Sequence, residues 1–185
     1  MESKILGVLK QDIGNWPLEK DWITIKPVAT PFFENKAIPY RLNFSEVSDM
    51  DLNTIDQVLS NFMNIDVSVI KEASKRSFEN WIAFNNAVGY LDTIETYQST
   101  SDKPKWMVRE LKRMLPLLSL NEPKKVWKYI TPTEIIVTKD RHQMHDEIYV
   151  QILCNCLWEE EHGLQFVLKK GNELTRVSDQ DGNLF

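Results

Sequence analysis

The chain has 185 residues, enough to bury a sizeable core as one domain or at most two small lobes. Its 42% hydrophobic and 26% charged residues predict a soluble globular protein. The net charge of −5 is spread without a basic block, which argues against nucleic acid and anionic membrane as partners.

No stretch approaches the roughly 20 apolar residues needed to cross a bilayer, and residues 1–10 contain no apolar core long enough for a signal peptide. The two cysteines are spaced C-x-C, so both side chains leave one strand on the same side and make a poor disulfide. A reducing, cytoplasmic location is therefore expected.

Residues 1–48 read as β-rich. Residues 4–9 form a short apolar run, and 22–27 alternate with aromatic and β-branched side chains, as a half-buried strand does. Gly14 and Pro17 supply turn chemistry between them. Residues 31–33 and 38–44 read as a further extended pair around Glu34, Asn35 and Lys36. Pro39 lacks a backbone N–H, so its strand must lie at an edge or begin late.

The period changes near Ser48, and residues 49–120 read as helical. Leu52, Ile55, Val58, Leu59 and Phe62 fall at helical spacing, with Asp49 or Asp51 as N-cap. Residues 63–66 break this helix and Asp66 caps the next, whose apolar face runs from Val69 through Phe78 and Trp81 to Val88. That aromatic stripe predicts core packing against a sheet rather than a ligand lining. Residues 98–104 form a polar linker, and 106–120 a further helix stopped or kinked at Pro116.

From Val126 the chain returns to strands, expected over 128–138, 148–157, 164–169 and 174–177. A polar turn at 139–146 and a Gly171–Asn172 turn separate them. Short connections predict an antiparallel meander over 126–178. Strands, then helices, then strands define an α+β fold. We expect one domain over 1–185, in which N-terminal and C-terminal strands form an antiparallel sheet with the helical section on one face.

Chemistry concentrates between Cys154 and Leu164. In a strand, Cys154 and Cys156 continue the stripe of Ile148, Val150 and Ile152, which makes them core residues. A zinc site would have to join them to His142, His145 or His162, but the usual ligand spacing is missing. His142 and His145 fit an exposed hairpin tip.

Glu159, Glu160, Glu161, His162 and Gly163 admit three readings. One is a hairpin loop in which Gly163 takes a positive φ, a carboxylate accepts loop N–H groups and His162 holds the turn. The second is a metal or acid–base site, and the third a loop that contacts a partner. The sequence contains no glycine-rich phosphate loop, nucleophile elbow or spaced metal motif, so no cofactor and no resident metal is expected.

Cys156, Trp158, Glu159, Glu161, His162, Gly163 and Leu164 match the pattern C-x-W-D/E-x-E-H-G-L, and on it the chain resembles a bacterial domain-of-unknown-function family. Residues 132–135, the pair Gln180–Asp181, Trp22, residues 31–33 and the pair Ile38–Pro39 are similar to other parts of that family, so the resemblance spans most of the chain. The chain departs from the pattern in carrying Glu159 where Asp is more usual and in a longer segment over 98–122. The resemblance implies no activity. The family's size and solubility are similar to those of immunity and accessory proteins of bacterial toxin systems, which implies a protein partner.

Two functions follow as expectations. The first is a non-enzymatic protein-binding module of immunity type, with Trp158, Glu159, Glu161, His162 and Gly163 as its functional loop. The alternative is a metal-dependent or acid–base enzyme using Glu159, Glu161 and His162, with Glu134 or Asp181 nearby.

Overall fold

Both strand-rich ends of the chain enter one sheet, and the helical section between them crosses over it. The computed structural model describes residues 1–13, 20–44, 49–139 and 147–184. Among them, β1 (Glu2–Ser3), β2 (Gly7–Ile13), β3 (Lys20–Thr24), β6 (Tyr40–Asn43), β7 (Ile130–Lys139), β8 (Ile148–Cys156), β9 (Leu164–Lys169) and β10 (Glu173–Ser178) lie in the order β1-β2-β3-β6-β7-β8-β9-β10. A separate hairpin pairs β4 (Val28–Thr30) with β5 (Lys36–Ile38).

The pairing of β6 with β7 is parallel, and the other pairings are antiparallel. A parallel pair needs a long crossover, which α1 (Asp49–Met63), α2 (Val67–Val88), α3 (Tyr90–Ser99) and α4 (Lys105–Met114) supply. The protein is thus α+β, and β7 to β10 run as a meander in chain order.

Local chemistry accounts for the main helix boundaries. Asp66 starts α2 by accepting a 2.7 Å bond from Ser68 N–H. Gly89, at φ 64°, ends α2 and lets α3 start at once. Of the caps expected for α1, Asp51 lies within the helix and pairs with Lys139 at 3.5 Å; the side chain of Asp49, the turn residues Gly14 and Pro17, and the histidines His142 and His145 lie outside the described residues and side chains.

Four segments differ from expectation. Residues 4–6 form a turn instead of extending β2, because Ser3 Oγ accepts from Ile5 N–H (3.1 Å) and Leu6 N–H (2.9 Å). Ser3 also donates to the carboxylate of Asp56 on α1. Residues 31–33 are a 3₁₀ turn rather than a strand: Pro31 opens it, and Phe32 is drawn into the core against Phe62 and Phe166. The expected strand 38–44 is split at Pro39, which separates the β4–β5 hairpin from β6; the carbonyl of Pro39 still accepts from Ile135 N–H at 3.0 Å. Residues 123–128 are a 3₁₀ turn ahead of β7, so Lys128 and Tyr129 precede the strand, whereas α4 gives way, as expected at Pro116, to a 3₁₀ turn over Leu115–Ser119.

One apolar cluster runs between sheet and helices, and its largest fully buried members include Trp81, Trp158, Tyr40, Phe62 and Phe166. The opposite face of the sheet is mixed, with Tyr149 and Val167 buried beside polar side chains. There Arg41 bonds Asp12, Asp21 and Glu134 at 3.0–3.1 Å, and buried Gln165 bonds Gln151, Ser178 and Asp181. Those bonds draw the chain after β10 back across β9, which places Gln180 beside the β8–β9 loop.

Candidate functional site

The loop between β8 and β9 begins where Leu157 N–H donates to Tyr129 O at 3.0 Å. The next side chain, Trp158, turns into the core and is 1% exposed. Its indole N–H donates to Asn80 Oδ1 on α2 at 2.9 Å, and its ring lies 6.1 Å from that of Trp81. A buried indole needs a polar partner for its N–H, and Asn80 is the one that holds this residue in a single orientation.

Glu159 organises the residues that follow. Its carboxylate accepts from the backbone N–H groups of Glu161 and His162, each at 3.2 Å, and its carbonyl accepts from Gly163 N–H at 3.0 Å. The side chain of Glu159 is 14% exposed, so the carboxylate is largely enclosed by the loop it holds. Gly163 has φ 65° and is buried. A Cβ there would stand 2.6 Å from Cys154 O and closer still to the Gln180 amide, which explains the glycine. Gln180 closes the loop: its side-chain amide donates to Cys154 O (2.8 Å) and Leu164 O (3.3 Å), and its N–H donates to His162 O (3.3 Å).

The remaining charges divide between docking and solvent. Glu160 pairs with Arg113 of α4 at 3.2 Å, and Arg113 also donates to Leu157 O, pairs with Glu110 and lies over the ring of Tyr90. Glu161 is exposed, with no ion pair among the described residues. The imidazole of His162 is 59% exposed, with Nδ1 3.4 Å from Glu159 Oε1. Trp158, Glu159 and Gly163 therefore build the loop, and Glu161 and His162 face outward from it.

Glu134 and Asp181 are engaged elsewhere, Glu134 with Arg41 and Asp181 with Arg176 and Gln165. Among the described residues no three His, Cys, Asp or Glu side chains gather to hold a metal ion. Burial pushes the thiol of Cys156 up to about 12 and that of Cys154 well above its ordinary range, so both are neutral core residues near pH 7.

Sequence reasoning missed Asn80 and Arg113, which fix the loop to the helices. Asn80 precedes Trp81 on a polar helix edge, and nothing local marks it as the partner of a tryptophan 78 positions away.

The sequence model of a family described as a domain of unknown function (DUF6985) matches residues 6–185. No curated protein and no solved structure matches the chain.

Proposed function

The chain belongs to the DUF6985 family of domains of unknown function, and we propose that it is a non-enzymatic protein-binding module that works as a single unit. The observation that carries this reading is the internal use of the loop's own polar groups. Trp158 is anchored by Asn80, Glu159 by two backbone N–H groups and Glu160 by Arg113, which leaves Glu161 and His162 on a pre-set tip. Pre-organisation of this kind lowers the entropy lost when a partner binds. A carboxylate beside an imidazole suits a partner surface rich in cations or hydrogen-bonding groups. In its specific form the module is a bacterial, cytoplasmic immunity-type protein and its partner a toxin.

The competing acid–base reading has one observation in its favour, the approach of His162 Nδ1 to Glu159 Oε1, since a carboxylate orients an imidazole that acts as a base. Immobilised protein, compared with a Glu161→Ala/His162→Ala variant of the same circular dichroism, tests the binding reading. We expect the first to retain a protein partner in stoichiometric amount and the variant to lose it. Repeated recovery of no partner, or equal retention by both, would contradict it.

A further inference from the structure

A second site lies outside the 158–163 loop. A cleft of about 620 Å³ opens between the turn around residues 31–36, the 3₁₀ turn Pro123–Lys128 and the start of β7. Its apolar wall comprises Phe33, Ile70 and Trp127. That wall is fixed before any ligand arrives: the indole N–H of Trp127 donates to Ser74 Oγ at 2.8 Å, and its ring stacks on Phe166 at 5.7 Å and 27°. Phe33 stands edge-on to Trp127 at 5.5 Å and 89°.

The cleft is cationic although the chain is acidic. Lys36, Lys124 and Lys128 line it against a single carboxylate, Glu34, in a protein of net charge −5. Lys124 is drawn to Glu122 at 3.2 Å, whereas the ammonium groups of Lys36 and Lys128 have no ion pair among the described residues. Backbone conformation at the lip is also unusual. Glu34 and Asn35 both hold left-handed φ values, 52° and 63°, which non-glycine residues adopt at a cost. Bonds from Glu34 N–H to Pro31 O and from Asn35 N–H to Thr30 O keep them there, and Lys36 follows directly at the cleft.

We propose that this cleft binds a small organic anion with a flat apolar body, such as an aromatic carboxylate or sulfonate. Its ring lies against Phe33 and Trp127 and its charge meets Lys36 and Lys128. The volume is that of a site for one small ligand. A bare inorganic anion leaves the aromatic wall unused, and a cation is repelled by the rim. The proposal stands independently of what the 158–163 loop contacts, because the two share no residue.

The probe is 1-naphthoate, titrated into the ¹⁵N-labelled full chain, with 1-naphthylmethylamine as the analogue of opposite charge. We expect saturable shifts at residues 31–36 and 124–132 with naphthoate, weakening as salt is raised. The amine should give none there. A Lys36→Met/Lys128→Met variant should bind naphthoate about fivefold more weakly, since each exposed charge contact is modest. Lys75→Met, at an exposed lysine of α2, should leave binding unchanged. Lys36 and Lys128 are both exposed, so the variants keep their fold, and the same spectra report it. The proposal is overturned if millimolar naphthoate gives no saturable shift or shifts elsewhere. Equal binding by the amine, or by the double-lysine variant, also overturns it.

Discussion

Gly163→Ala tests the wiring of the β8–β9 loop because separable backbone and packing penalties meet at one atom. Holding a non-glycine residue at φ 65° costs about 1–2 kcal/mol. The new Cβ must also displace the Gln180 amide from Cys154 O and Leu164 O, at about 1 kcal/mol per lost hydrogen bond. It still stands 2.6 Å from Cys154 O, a strand carbonyl that cannot swing away as a side chain can, and such overpacking costs about 1–3 kcal/mol. A loss of about 4–7 kcal/mol follows. Gly182→Ala is the internal control: its φ is 75°, but a Cβ there meets nothing within 4 Å, so only the backbone penalty of about 1–2 kcal/mol applies. Urea unfolding of the two variants separates the effects. With a slope near 2 kcal/mol/M, the Gly163→Ala midpoint should fall below that of Gly182→Ala by roughly 1.5–2.5 M. Equal midpoints would refute the close packing of Gln180 and Cys154 around residue 163.

Trp158→Ala should destabilise by about 3–5 kcal/mol in the same assay, through the core cavity and the stranded Asn80 amide, and a loss under about 1 kcal/mol would mean that the indole is not core. Arg113→Ala should cost about 1–2 kcal/mol because the carbonyl of Leu157 and the carboxylates of Glu110 and Glu160 lose their shared cation. His162→Ala should stay within about 0.5 kcal/mol of the parent, as expected for a residue that faces solvent. The buried thiols predict an alkaline effect. Below pH 9 both folded and unfolded states keep the Cys156 proton and its stabilisation is complete; from pH 9 towards 12 the unfolded state releases it first and stability falls. Cys156→Ala should therefore flatten the decline of the urea midpoint between pH 9 and 11, and an unchanged slope would show that the thiol is not buried.

What could be read from the sequence depended on how far each interaction reaches. The role of Glu159 involves partners within a few residues, so a carboxylate followed two and three positions later by the N–H groups it accepts is a local pattern, whereas the crowding of Gly163 by Cys154 and Gln180 is not. The Asp66 cap and the stripe of α2 are local in the same sense. Pro-Phe-Phe suits an extended strand as well as a 3₁₀ turn, and at Phe32 and Phe33 the choice is made by distant rings at Phe62, Trp127 and Phe166. The parallel pairing of β6 with β7 was likewise hidden, since it depends on how the helical section returns. The lysine-rimmed cleft gave no signal at all, because Lys36 and Lys128 meet only through the fold.

Site-specific photo-crosslinking from position 161, in cells that make the protein, addresses the binding role most directly. Position 173, an exposed glutamate at the start of β10, serves as the comparison. A single discrete protein adduct from position 161, missing from position 173 and lost when His162→Ala is added, is the result expected of a binding tip. No discrete adduct from position 161, or the same adduct from both positions, would contradict it.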